Sequence, residues 1–194
     1  MFNLKFALSY FLHQFKAINR HGLHSPFVYR LVDEVIYDFS DKIVYTDLEK
    51  ALPSGKKLTS ADKLLYRLVS DWQPLDVRVI GECVPADRVI LDHAISKLVQ
   101  NNNTPQSNTQ STNTVILIDA ANANSFKNEL EQLLVNLQDG VMLVIKNNHQ
   151  SSRAHLFWKQ IKAHPHVAVS VDLFLLGLVY HRPGKVKENF LIKF

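Results

Sequence analysis

Two short apolar runs with a helical pattern between them constrain the fold of this chain most strongly. The runs are Val115–Ile118 and Val141–Ile145, and each becomes polar abruptly at its end. An unbroken apolar run of this length is typical of a strand covered by helices on both faces. Between the runs, apolar residues recur at helical spacing from Phe126 to Leu137. The sequence therefore predicts a strand-helix-strand unit with a right-handed crossover.

The polar residues that end the two runs define a candidate site. Asp119 follows the first run, and Lys146 and His149 follow the second. In a parallel strand-helix-strand unit both ends lie at the same edge of the sheet, where open α/β sheets bind ligands. We expect Asp119 and Lys146 to face each other there as a partly exposed ion pair with no divalent cation between them. A plain solvated lysine is the alternative.

The first 40 residues are predicted to be a helical extension. Leu4, Leu8, Phe11, Phe15 and Ile18 mark one face of a first helix, and a second helix begins after Gly22 and Ser25. The apolar face of the first helix has three alternative partners. It can pack on the domain, on a second copy to form a homodimer, or on a membrane surface.

The remainder of the chain predicts one α/β domain over residues 1–194. Residues 41–57 have the character of a connecting segment, and Val77–Ile80 is a further short strand before a helix. Three strands are predicted at the C-terminus, at Val167–Phe174, Leu176–His181 and Asn189–Phe194. Because no helix separates these three strands, we expect them to be antiparallel. The expected fold is a Rossmann-like, mostly parallel sheet with antiparallel C-terminal strands.

Composition narrows the classes of partner. The net charge is +4, and the basic residues are scattered, which argues against a nucleic-acid surface. Cys83 is the single cysteine, which excludes an intramolecular disulfide and favours the cytoplasm. No apolar stretch is long enough for a transmembrane segment. Asn101–Thr114 is uncharged and polar, and it predicts a flexible loop.

Three further stretches share their residues with one protein family. They are HGLHSPFVY at His21–Tyr29, LLYRLV at Leu64–Val69 leading to Pro74, and a long segment from Trp158–Pro165 to Asp172–Tyr180. These stretches resemble a bacterial group of class I S-adenosylmethionine (SAM)-dependent methyltransferases. The resemblance implies the methyltransferase fold, SAM as the cofactor and a small-molecule acceptor.

The departures from this family fall at the cofactor-binding elements. Residues Ile80–Pro85 contain one glycine, where the family has a loop resembling Glu-x-Gly-x-x-x-Gly. Asn101–Thr114 stands where the family has a second strand, whose acidic end holds the ribose, and then another helix and strand. The fold is therefore expected to lack part of the nucleoside-side half. Lys146–His149 replaces an Asp-Asp-x-His pattern and keeps only the histidine.

Carried over residue by residue, the resemblance implies Gly81, Glu82 and Asp119 around the cofactor. His149 and Lys146 are the catalytic candidates, His149 as a general base because its pKa can lie near neutrality. Lys146 stands where related metal-dependent O-methyltransferases have a carboxylate that binds a divalent cation. An ammonium group repels such a cation, so we predict no metal and expect Lys146 to pair with Asp119 in its place.

Two functions follow from these observations. The first is a reduced methyltransferase-like protein with weakened or lost SAM binding, serving as a non-catalytic scaffold or interaction protein. The second is an active O-methyltransferase that uses SAM and an unknown small-molecule acceptor. The missing nucleoside-side elements favour the first function, whereas methyl transfer needs mainly alignment of donor and acceptor and so leaves the second open.

Overall fold

The computed structural model describes residues 4–53, 55–82, 84–102, 113–122, 127–182, 184 and 186–194. Cys83 and most of Asn101–Thr114 therefore lie outside the described residues. Within Asn101–Thr114, the described residues 101–102 end a helix and Thr114 begins a strand. Asn113, between them, donates its side-chain amide to the carbonyl of Trp72 at 2.8 Å.

Helices dominate the first part of the chain, and strands alternate with helices after it. The first part contains α1 (Leu4–Lys16), a 3-10 turn (Arg20–Gly22), α2 (Pro26–Arg30) continuing as a π-helix (Leu31–Ile36), α3 (Ile43–Ala51) and α4 (Ser60–Trp72). The alternating part contains β1 (Asp76–Ile80), α5 (Pro85–Asn102), β2 (Thr114–Asp119), α6 (Lys127–Val135), β3 (Val141–Lys146), α7 (Ser152–Ala163), β4 (Val169–Asp172), β5 (Leu176–Tyr180) and β6 (Glu188–Leu191).

The described strands form one mixed sheet in the order β1-β2-β3-β5-β4-β6. β1, β2 and β3 are parallel, β5 is antiparallel to both of its neighbours, and β6 is parallel to β4. The predicted strand-helix-strand unit is therefore confirmed as β2-α6-β3. Asp119 and Lys146 are register partners at the ends of β2 and β3, as expected. The protein is an α/β protein with a mostly parallel sheet.

The prediction that consecutive C-terminal strands are antiparallel is confirmed in direction, because β5 runs opposite to β4 and β6 runs opposite to β5. β4 and β5 are antiparallel neighbours, but β6 pairs with β4 in parallel rather than with β5. The reason is that β5 already has β3 on its other edge. The chain after β5 therefore crosses the start of β4 and adds β6 to the edge of β4 that is still free.

Alternating side chains of the central strands build a core on each face of the sheet. Val115 and Leu117 pack with the helices from α2 to α5, whereas Ile116 and Ile118 pack with α6 and α7. This alternation is the two-residue period of a strand that is covered on both faces. It explains why β2 and β3 are apolar without interruption.

Helix α3 lies in the segment that the sequence predicts as a connection. Its buried side chains are Val44, Tyr45 and Leu48, which form one narrow face of a two-turn helix.

Helix α4 begins with a capping box, in which Thr59 accepts from the backbone N–H of Asp62 and Asp62 accepts from the backbone N–H of Thr59.

Helix α1 packs on the domain through the face opposite to the predicted one. His13 and Ala17 are buried, whereas Leu4, Leu8 and Phe15 of the apolar face are exposed. The expectation that this face could pack on the domain is therefore wrong. Apolar residues four positions apart occur on both faces of α1, so their spacing alone did not identify the buried face.

Candidate functional site

The carboxyl ends of β1, β2 and β3 bring together a lysine and three aspartates, Asp62, Asp87, Asp119 and Lys146, which we call the lysine cluster. The Lys146 amine donates to a carboxylate oxygen of Asp87 and lies 3.9 Å from one of Asp62. The Lys146 side chain is 13% exposed, and that of Asp87 is 4% exposed. The central contact is thus a largely buried ion pair.

Two of these carboxylates are positioned by the N-termini of helices. Asp87 lies in the first turn of α5, and Asp62 belongs to the capping box of α4. A helix N-terminus favours a negative charge because its backbone N–H groups carry partial positive charge. Burial still raises the pKa of Asp87 above its ordinary value, and the nearby Asp62 and Asp119 add to this rise, while Lys146 opposes it.

Asp119 is bonded to residues that follow β2 and β3 rather than to Lys146. One Asp119 oxygen accepts from the Asn147 side-chain amide at 3.0 Å and from the backbone N–H of Ala121 at 2.9 Å. Within the described residues, Lys146 forms ion pairs with Asp87 and Asp62 and none with Asp119. The register of the two residues was predicted correctly, but the expected ion pair was wrong. Asp87 is the more deeply buried carboxylate, so the lysine charge stabilises it more.

The other predicted cofactor residues lie at the end of β1. Gly81 has φ +85°, a left-handed conformation that favours glycine. Glu82 accepts a hydrogen bond from the Asn122 side-chain amide at 3.4 Å. Because Ile80 is the register partner of Ile118, both residues lie beside the end of β2 that carries Asp119. The fold thus brings Gly81, Glu82 and Asp119 to one edge of the sheet, together with Lys146.

His149 belongs to a second, separate group of side chains around Asp172, at the end of β4. The Asp172 carboxylate, 2% exposed, accepts from Trp158 Nε1 at 2.6 Å, from Asn148 Nδ2 at 3.3 Å and from the backbone N–H of Phe174 at 3.1 Å. His149 Nε2 lies 2.9 and 3.1 Å from its two oxygens. We call these residues, with His13 and Lys162, the Asp172 cluster.

A further histidine and a lysine also approach this carboxylate. His13 Nε2 lies 3.6 Å and Lys162 Nζ lies 3.5 Å from an Asp172 oxygen. Burial acts to raise the pKa of Asp172, but the hydrogen bonds from His13, His149 and Trp158 outweigh it and hold that pKa well below its ordinary value. Asp172 is therefore ionised at neutral pH, and it fixes the ring of His149.

His149 lines a surface cleft together with His155. Its Nδ1 lies 3.1 Å from Nδ1 of His155, so one proton can be shared between the two rings. The cleft has a volume of about 270 Å³ and is lined by Lys5, Phe6, Ser9, His149, Gln150, Ser151, Ser152 and His155. Burial lowers the pKa of His155, and the neighbouring His149 lowers it further. The arrangement of Asp172, His149 and His155 is suited to moving a proton at the cleft.

A strained phenylalanine supports the back of this histidine. Phe174 has φ +70°, which is unusual for a bulky residue. Its ring stacks on His149 with centroids 4.7 Å apart and packs edge-on against Phe6 and Tyr10 of α1. Strain of this kind persists where the surroundings over-determine it, and it is found at functional sites.

No group of three or more histidine, cysteine or acidic side chains suited to a metal occurs among the described residues. In the lysine cluster, the Lys146 ammonium stands among the carboxylates that a divalent cation would need.

The sequence matches no protein-family model and no curated protein. The described helices include none that is both long and apolar enough to cross a membrane.

Sequence reasoning found His149 and Lys146 but missed their partners. No carboxylate lies beside His149 in sequence, and Asp172 is 23 positions away. One signal was available, because Trp158 and Asp172 both belong to the long segment that carries the family resemblance. The missed partner of Lys146, Asp87, is 59 positions away.

Proposed function

We propose that this chain is a methyltransferase-like α/β protein that has lost or weakened SAM binding and acts as a binding or scaffold protein. The observation that carries the proposal is the buried pair of Lys146 and Asp87 at the carboxyl edge of the sheet. Under the family resemblance, this edge is where the cofactor is expected, between Gly81 and Asp119.

The ion pair is a physical obstacle to a cofactor at this edge. A ligand that approached Gly81 and the start of α5 would have to be accommodated beside Lys146, which lies against both Asp87 and Asp62. Separating a buried ion pair leaves an unpaired charge and costs about 3–5 kcal/mol. That cost alone is comparable with the whole binding free energy of a millimolar ligand, about −4 kcal/mol.

The edge of the sheet supports the same proposal. β1 has β2 on one side and no described strand on the other. Between α5 and Asn113 only residues 103–112 remain. This interval is too short for the strand, helix and strand that the family places there, and the family's ribose-binding acidic residue belongs to that missing strand. The nucleoside therefore loses its expected partner.

The test is isothermal titration calorimetry of the purified protein with SAM and with its demethylated product, S-adenosylhomocysteine. We expect a dissociation constant weaker than about 1 mM for both. A functional methyltransferase titrated with the same ligand stocks is the positive control, and a cooperative melting curve shows that the protein is folded. A dissociation constant near micromolar, about −8 kcal/mol, contradicts the proposal.

A second candidate function is an active methyltransferase, and the geometry of His149 favours it. Its ring is fixed by Asp172 and reaches a cleft large enough for a small acceptor. In this case, incubation with SAM and a panel of phenols and carboxylic acids yields S-adenosylhomocysteine. The variant His149→Gln lowers that yield by about 100-fold or more, the usual scale of general base catalysis. The exposed His21→Gln is the matched control and leaves it unchanged.

A further inference from the structure

Helix α1 presents a continuous apolar stripe to solvent. The exposed fractions are 79% for Leu4, 58% for Leu8, 65% for Phe11, 46% for Leu12 and 80% for Phe15. These residues recur at the spacing of one helix face over the whole length of α1. A stripe of large apolar side chains on a single helix is typical of an interaction surface.

The opposite face of α1 fixes this stripe in place. Phe6 packs against Phe174 with ring centroids 5.1 Å apart, and His13 reaches the Asp172 cluster. Gln14 donates to the carbonyl of Phe194 at 3.1 Å, and Ile18 bridges to Ile192. Since α1 is held at several points, its apolar stripe is displayed outward and does not fold back onto the domain.

The charges beside the stripe are all positive. No aspartate or glutamate occurs before Asp33 in the sequence. Lys5 and Lys16 are exposed and lie eleven residues apart, which places them on the same flank of the helix, three turns from each other. Neither lysine has an ion-pair partner among the described residues. The stripe therefore carries free positive charge along its border.

We propose that α1 docks this protein on an anionic lipid surface. Phe and Leu side chains on one face and lysines beside it are the combination with which an amphipathic helix lies in the plane of a membrane interface. The lysines would meet the negative headgroups while the phenylalanines enter the acyl boundary. This inference concerns a surface, and it stands independently of whether SAM binds.

A second copy of the chain fits the stripe less well. A two-fold pair of antiparallel α1 helices sets Lys5 of one copy near Lys16 of the other, on the same side of the seam. Like charges then oppose each other, and in neither an antiparallel nor a parallel pair does α1 have an acidic residue to compensate. An anionic lipid surface has the complementary charge.

The experiment is co-sedimentation of the full chain with large vesicles. One set contains phosphatidylcholine with about one-third phosphatidylglycerol, and the other contains phosphatidylcholine alone. We expect binding to the anionic vesicles and at least about tenfold weaker binding to the neutral ones, because two lysines contribute about a factor of ten or more together. The paired variant Lys5→Gln/Lys16→Gln should lose this difference.

The apolar contribution is tested with the paired variant Phe11→Ser/Phe15→Ser, for which we expect at least about tenfold weaker binding to anionic vesicles. The matched control is Leu75→Ser/Val135→Ser, which removes exposed apolar side chains elsewhere, 77% and 50% exposed, and should bind like the wild type. Melting curves verify that each variant is folded.

Any one of four results would overturn the proposal. The first three are no binding to anionic vesicles, equal binding to both kinds of vesicle, and a stable dimer in light scattering that Phe11→Ser/Phe15→Ser dissociates. The third result would assign the stripe to a second copy instead. A loss of vesicle binding in the Leu75→Ser/Val135→Ser control equal to that in the phenylalanine variant would also contradict a site on α1.

Discussion

Replacing Asp172 by asparagine tests whether this carboxylate organises the second cluster. The substitution Asp172→Asn keeps the size of the side chain but removes its charge. In the wild type the carboxylate accepts from Trp158 and is paired with His149, with Lys162 nearby. In the variant, the new side-chain amide N–H must face at least one of the groups that donate to the carboxylate in the wild type. Two hydrogen-bond donors then oppose each other, and one buried polar contact becomes repulsive.

The expected loss of stability can be worked from these contacts. Removing one partner of a buried ion pair costs about 3–5 kcal/mol, and a hydrogen bond to a charged group contributes about 1.5–3 kcal/mol. Asparagine retains part of the hydrogen bonding, so we expect a loss of about 3 kcal/mol at pH 7. For a domain of this size, each kcal/mol lowers the melting temperature by about 2–4 °C, which gives a decrease of about 6–12 °C.

The pH dependence gives a second check. The pKa of Asp172 is lowered in the folded state, so its stabilisation is present above the ordinary value of 3.8 and is lost as the pH falls toward the folded value. The difference between wild type and variant should therefore be largest near neutral pH and shrink below about pH 4. Calorimetric melting curves at several pH values measure both quantities.

The matched control is Asp47→Asn, because Asp47 is 51% exposed and its pair with Lys50 at 3.4 Å lies on the surface. We expect it to change stability by less than about 0.5 kcal/mol. If Asp172→Asn melts within about 2 °C of the wild type at pH 7, the carboxylate does not organise the cluster and the argument from its contacts fails.

Three further predictions concern single residues. Burial lowers the pKa of His155, so as the pH falls the unfolded chain binds a proton at a higher pH than the folded chain does. The stability should therefore fall as the pH drops below about 6.5. Melting curves of His155→Gln should show a smaller fall in stability than those of His21→Gln. Lys146→Met removes the cation that pairs with Asp87 and Asp62 and leaves both carboxylates near Asp119, so millimolar Ca²⁺ should raise its melting temperature but not that of wild type or Lys50→Met; an equal rise in the wild type would contradict the ion-pair interpretation. Gly177→Ala places its Cβ 2.7 Å from the ring of Trp158 and should cost about 1–3 kcal/mol in a denaturant titration, whereas Gly22→Ala, with its nearest contact at 3.4 Å, should cost less.

The central strands could be predicted from the sequence because burial on both faces leaves a continuous apolar run. β2 and β3 lie between two cores, and their register follows from the crossover through α6. Helix α3 and the partner of β6 could not be predicted in the same way. α3 buries only one narrow face, and the position of β6 depends on which strand edge remains free, which is a property of the assembled sheet.

The candidate site was predictable only in part, for a related reason. Strand ends are local features, so Asp119 and Lys146 could be placed at one edge from the sequence. The direction of a long side chain is decided by the most favourable charge within its reach, and for Lys146 this is Asp87 on a helix that precedes β2. The pairing of His149 with Asp172 likewise joins β3 to β4 through the tertiary fold.

The segment after β3 separates the lysine cluster from the Asp172 cluster. Lys146 turns toward Asp87, whereas His149 turns toward Asp172. Between them Asn147 has φ +58°, and its side-chain amide is bonded to Asp119. The residue that separates the clusters is thus held in an unusual conformation and anchored to β2. A substitution at Lys146 can therefore rearrange the lysine cluster without moving His149, whose ring is fixed independently by Asp172 and by the stacking of Phe174.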